Sequence, residues 1–125
     1  MIYLDTHVVA WLYAGRSDLL SPRVGDMLRE SDILISPIAV LELQYLYEIE
    51  RIGVEAQKVV DELKRSIGLK LCTQAFSSVV EKAALQSWTR DPFDRVIVAQ
   101  AAMNNSPLAT RDKEIQNNYS LAVWE

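Results

Sequence analysis

Four acidic residues, Asp5, Glu42, Asp94 and Asp112, stand at or near the ends of apolar segments of this chain. Glu42 is the most informative of them. The stretch opened by Ser36-Pro37 puts Ile38, Leu41, Tyr45, Leu46, Ile49 and Ile52 on one helical stripe, with position 42 inside it. Gln44, Glu48, Arg51 and Glu55 fall on the opposite face. A carboxylate on the expected core side is costly unless a cation, a hydrogen-bond network or a metal compensates it. Carboxylate oxygens suit hard cations such as Mg²⁺ or Mn²⁺, and a cluster of this kind holds one or two of them. Ions so placed orient a phosphodiester, activate water and stabilise the leaving oxygen. Packed together without metal, the same acids repel one another, and some titrate late.

The elements that must bring these acids together are legible from periodicity. Short apolar runs at Ile2–Leu4, Ile33–Ile35, Leu69–Leu71, Pro107–Ala109 and Leu121–Trp124 read as strands. Residues 6–14, 22–30, 37–52, 54–66, 75–88 and 93–104 read as helices, with a short helical turn near 112–116. Such alternation predicts an α/β fold, a five-stranded parallel sheet flanked by helices on both faces. Ligands of such sheets bind beyond the carboxyl ends of the strands. Asp5 directly follows the first strand and Asp112 comes just after the fourth. Glu42 lies one to two turns into the helix after the second, and Asp94 opens the helix that leads to the fourth.

Each acid also has a plainer reading. Asp5-Thr6 could cap the next helix. A phosphotransferase Asp-x-Asp is excluded by His7, and a phospho-acceptor after the third strand by Thr73, Gln74 and Ala75. Pro92 suits a first helical position, which makes Asp91 the N-cap and a weaker metal candidate, and Asp94 the third helical residue. Asp112 alone could be a turn acid; with the other three it joins a cluster. No Ser or Cys nucleophile motif accompanies His7, so it reads as structural, and Trp11 and Tyr13 as core or interface residues. Arg16, Arg90, Arg95, Arg111 and Lys113 lie near the rim in sequence, placed for phosphate contacts or for ordinary surface pairing.

At 125 residues, half of them hydrophobic, residues 1–125 read as one domain. Cys72 is the only cysteine, so no intrachain disulfide can form, and its apolar setting suggests a buried strand thiol. The start of the chain lacks a signal-peptide pattern, and no run is apolar enough to span a bilayer, so a reduced, cytoplasmic protein is expected. The net charge is −4; setting the four site acids aside leaves 13 acidic against 13 basic residues. The acidity therefore does not exclude a nucleic-acid substrate, because it can reside in the site itself.

Leu4-Asp5-Thr6-His7, Val40-Leu41-Glu42-Leu43, Arg90-Asp91-Pro92-Phe93-Asp94-Arg95 with Val98-Ala99-Gln100-Ala101, and Ala109-Thr110-Arg111-Asp112 together resemble the PIN-domain signature, in that order from about residue 2 to 124. The likeness is greatest to the VapC-type toxins of toxin–antitoxin pairs. It implies a five-stranded parallel sheet and a Mg²⁺- or Mn²⁺-dependent endoribonuclease acting on structured RNA of the tRNA or rRNA class. It carries the acidic quartet onto Asp5, Glu42, Asp94 and Asp112, with Thr6 and Thr110 as orienting hydroxyls. It further implies a homodimer silenced by a small antitoxin that covers the site. Many relatives place a His where this chain has Thr89. A non-catalytic RNA- or protein-binding module, and a DNA nuclease or phosphatase using the same metal chemistry, remain the other readings of these residues.

Overall fold

The computed structural model describes residues 1–125. Five short strands, β1 (Ile2–Leu4), β2 (Ile33–Ile35), β3 (Lys70–Leu71), β4 (Leu108–Ala109) and β5 (Ala122–Val123), form one parallel sheet in the order β3-β2-β1-β4-β5. Seven α-helices connect them: α1 (Thr6–Tyr13), α2 (Pro22–Glu30), α3 (Pro37–Glu48), α4 (Ala56–Ile67), α5 (Phe76–Ala84), α6 (Pro92–Met103) and α7 (Lys113–Asn118). A 3₁₀ turn at Ser17–Leu19 is the one element that periodicity did not announce. The fold class expected from sequence is the one observed.

Helix starts follow local chemistry. Ser21-Pro22, Ser36-Pro37 and Asp91-Pro92 each put a side-chain acceptor at the N-cap and proline at the first helical position. Expected boundaries slip mainly at the helix ends. The run expected to continue to residue 52 stops at Glu48, and Glu50 adopts a positive φ of 63° in the turn that follows. The segment expected to reach Trp88 stops at Ala84.

The sheet separates two apolar layers through the alternation of its side chains. Ile2, Leu4, Ile33, Ile35 and Ala109 pack on one side with Val8, Val9, Val24, Leu43 and the buried face of α4. Tyr3 and Leu108 point to the other side, against Ile97, Val98 and Ala101 of α6 and Ile115 of α7. The chain builds β1, β2 and β3 outward in one direction, then returns to place β4 and β5 on the far side of β1. That reversal is a topological switch point between β1 and β4, and open parallel sheets bind ligands beyond the carboxyl ends of the strands at such points.

Candidate active site

Asp5 directly follows β1 at this switch point and is 7% exposed. Both carboxylate oxygens are engaged: Oδ1 accepts from the Thr6 amide at 2.8 Å and Oδ2 from the Thr110 hydroxyl at 2.7 Å. Burial nevertheless raises the Asp5 pKa, against the lowering effect of Thr110, His7 and Thr6. Thr110, fully buried, also accepts from the Asp112 amide at 3.1 Å, so one hydroxyl ties the end of β1 to the turn after β4. Thr110→Val should destabilise the fold by about 1–3 kcal/mol, because it leaves a buried carboxylate oxygen unpaired. Thr110→Ser should restore most of that loss in urea unfolding.

Glu42 lies on α3 and is half-buried, but its surroundings differ from the expected ones. The core face of α3 is formed by Ala39 and Leu43, whereas Leu41 and Tyr45 are 57% and 49% exposed and Ile49 is also exposed. The helix is apolar on most sides, so periodicity alone could not select the side that packs. Glu42 Oε1 is nonetheless enclosed without a hydrogen-bond partner, and so is the buried Thr6 Oγ1. Burial raises the Glu42 pKa; the nearby Thr6 hydroxyl and His7 favour its charged form, while Asp5 and Asp91 oppose it. The three ion pairs of the chain are Arg16–Asp18, Arg29–Asp26 and Arg65–Glu62, all at exposed positions and none involving Asp5, Glu42, Asp91, Asp94 or Asp112. No Lys, Arg or His forms an ion pair with Glu42, and its enclosed oxygen has no hydrogen bond either. Replacing Glu42 with Leu should keep or raise the metal-free melting temperature, since an uncompensated buried carboxyl is removed; a clear fall in a thermal melt would refute this.

Asp94 opens α6. Its pKa is pushed up to about 8, by burial first and then by the charges of Asp91, Asp5, Asp112 and Glu42. All the acids singled out from sequence therefore stand within electrostatic reach of one carboxyl. Asp91 is the N-cap expected for it, with Oδ1 accepting from the amides of Phe93 and Asp94 at 2.8 and 3.3 Å, and it is also the strongest charge acting on Asp94. Asp112 is exposed and caps α7 through the amides of Glu114 and Ile115, at 2.8 and 3.1 Å. No three Asp, Glu, His or Cys side chains are gathered as a ready ligand set. The donor set fits a hard cation by chemistry, being all carboxylate with one enclosed, unpartnered oxygen on Glu42.

Among the basic residues near the rim, Arg95 donates through Nε to the Thr89 carbonyl at 2.8 Å and Arg90 through Nη1 to the Ser87 carbonyl at 2.9 Å. Arg111 and Lys113 are exposed beside Asp112. Arg16 is committed to Asp18 on the surface. Thr89 accepts from the Asp91 amide at 3.1 Å and so holds the turn before the α6 cap. His7, read from sequence as structural, is exposed, and its charge acts on both Asp5 and Glu42. The Asp5-x-His7 spacing at a helix start was the available signal for this placement.

A family model described as the PIN domain matches residues 2–121. The chain belongs to the PIN domain family. Solved structures share its fold over nearly the whole length. They include a toxin–antitoxin complex from Klebsiella pneumoniae, at 18% identity and TM-score 0.70, covering 98% of this chain and 96% of the other. VapBC2 from Rickettsia felis, bound to a DNA fragment from its promoter, is 20% identical with TM-score 0.71 and 100% coverage of both chains. VapBC-1 from nontypeable Haemophilus influenzae is 20% identical with TM-score 0.64, covering 98% of this chain and 96% of that one. Among curated proteins none matches significantly. In this PIN domain the acids occupy the switch point of the sheet, and no helix is long and apolar enough to cross a membrane.

Proposed function

We propose that this PIN domain is a Mg²⁺- or Mn²⁺-dependent endoribonuclease that cleaves structured RNA of the tRNA or rRNA class and acts as the toxin of a toxin–antitoxin pair. The observation that carries the reading is the convergence of four acids, Asp5, Glu42, Asp91 and Asp112, on Asp94 with no cation paired to any of them. A hydrolytic site that binds divalent metal supplies the missing positive charge. Asp5, Glu42, Asp94 and Asp112 would hold one or two ions, with Asp91 a weaker candidate. When bound, the metal supplies Lewis acidity and an activated water for phosphodiester hydrolysis.

The chain's own part is positional. Thr110 and the Thr6 amide hold Asp5 in one orientation, and the α6 cap holds Asp94 on a buried, rigid helix. Thr6 Oγ1 stands ready as an orienting hydroxyl near Glu42. Arg90, Arg95, Arg111 and Lys113 would contact phosphates of the strand. The toxin assignment draws on the sequence signature and on neighbours that are themselves toxin–antitoxin complexes. With it come a small antitoxin covering the site, a homodimer and a cytoplasmic setting. The exposed apolar residues of α3 (Leu41, Tyr45), of its C-cap (Ile49) and of α5 (Phe76, Val80) offer surface for protein contacts of this kind.

The test is cleavage of total RNA by purified, antitoxin-free protein in Mg²⁺, Mn²⁺ or EDTA. Discrete fragments that require metal are expected. Single-stranded DNA, duplex DNA and a phosphomonoester, run alongside, should remain intact. A second reading is favoured by the absence of a gathered ligand set and by the capping work of Asp91 and Asp112, namely a binding module without catalysis. Calorimetric titration separates the two: only the nuclease reading expects Mn²⁺ binding that depends on Glu42.

A further inference from the structure

His7 stands in the first turn of α1, exposed and two residues from Asp5, the N-cap of the same helix. His7 is also the outer member of a series of rings. Trp11, one helical turn on, has its ring centre 6.4 Å from the imidazole at an interplanar angle of 52°. Trp11 in turn meets Trp124 near the end of the chain, edge to face, at 5.9 Å and 63°. Both spacings lie in the range of aromatic contact. The two indoles are half-buried against the core, whereas His7 is exposed.

An acidic protein of net charge −4 gains little from the general attraction to phosphate that holds basic proteins on nucleic acid. A strand laid over clustered carboxylates needs a grip that does not depend on its charge. Stacking of unpaired bases on aromatic faces supplies one, and it tolerates any sequence. We propose that His7, the exposed member of a ring cluster with Trp11 and Trp124, offers its face to an unpaired nucleobase of the RNA, which docks there beside Asp5. This rests on the nuclease reading for its substrate. It adds a residue that holds an unpaired base of that substrate.

The experiment reads tryptophan emission in a Trp88→Phe background, which leaves Trp11 and Trp124 as reporters, with EDTA present. A short oligoadenylate should quench the emission, and an abasic ribose-phosphate strand of equal length should not. His7→Ala should weaken oligoadenylate binding about tenfold, within the range measured for one stacked base, and His7→Phe should restore it to within about threefold. In metal-supported cleavage, His7→Ala should raise KM about tenfold with kcat nearly unchanged. Equal quenching by the abasic strand, parental binding by His7→Ala, or failure of His7→Phe to restore binding would each overturn the proposal. Absence of RNA cleavage by the folded parent overturns the nuclease reading instead, and the quenching titration still decides the stacking. Intact cleavage with unaltered binding by His7→Ala overturns the stacking alone.

Discussion

Asp94→Asn should reduce metal-dependent RNA cleavage by at least about 100-fold while leaving the protein folded. A group that merely supports a metal ligand is worth about 10- to 100-fold to a metal site, and Asp94 is proposed as a ligand itself. It is also the carboxyl on which the charges of Asp5, Glu42, Asp91 and Asp112 converge. Asparagine keeps the shape and the position on α6 but cannot carry the negative charge that draws a hard cation. The α6 cap does not use the Asp94 side chain, since Asp91 provides the acceptor, so the helix start should persist. Fragment yield from total RNA at fixed Mn²⁺, with circular dichroism on the same preparation, checks both halves. Parental cleavage by a folded Asp94→Asn variant would remove this residue from the site.

The second large effect is on stability against pH without metal. Asp94 titrates near 8 in the folded chain, against 3.8 for an unperturbed aspartate, and Asp5 and Glu42 are shifted in the same upward direction. Between about pH 4 and pH 8 the folded state therefore binds more protons than the unfolded one. Stability then falls as pH rises through this window and levels off above it. The exposed pairs Arg16–Asp18 and Arg65–Glu62 act oppositely, since Asp18 and Glu62 are lowered and lose their contribution as pH falls. Their exposure makes that effect small. The metal-free melting temperature should accordingly be highest at mildly acidic pH and drop by several degrees toward pH 9. Asp94→Asn should match the parent at pH 5 and exceed it at pH 9. Divalent metal should reverse the trend, stabilising more as pH rises, because a proton must leave Asp94 before a cation can use it. A flat or rising metal-free profile would contradict the clustering of these acids.

The match between sequence and structure is uneven in an instructive way. Strand positions and helix starts were readable because their causes are local: Ser21-Pro22, Ser36-Pro37 and Asp91-Pro92 cap their own helices, and alternation at Ile2-Tyr3-Leu4 sorts side chains to two faces. Helix ends were less readable, because α3 stops where the backbone turns at Glu50 rather than where the apolar pattern fades. Leu41, Tyr45 and Ile49 continue the pattern yet face solvent.

The sequence by itself determined the alternation of strands and helices, the placing of Asp5 and Asp112 at strand ends, and the choice of the four acids as candidates for a shared site. Each of these depends on residues close along the chain. Only the tertiary structure decided that β4 lies beside β1, which is what lets Thr110 reach Asp5 across 105 positions of sequence. It also decided which side of α3 packs, that Glu42 keeps an enclosed oxygen without a partner, and that His7 is exposed. These outcomes depend on how layers pack against one another. A helix apolar on most of its sides, or a histidine one turn from a strand end, carries no local mark of the neighbour it will meet.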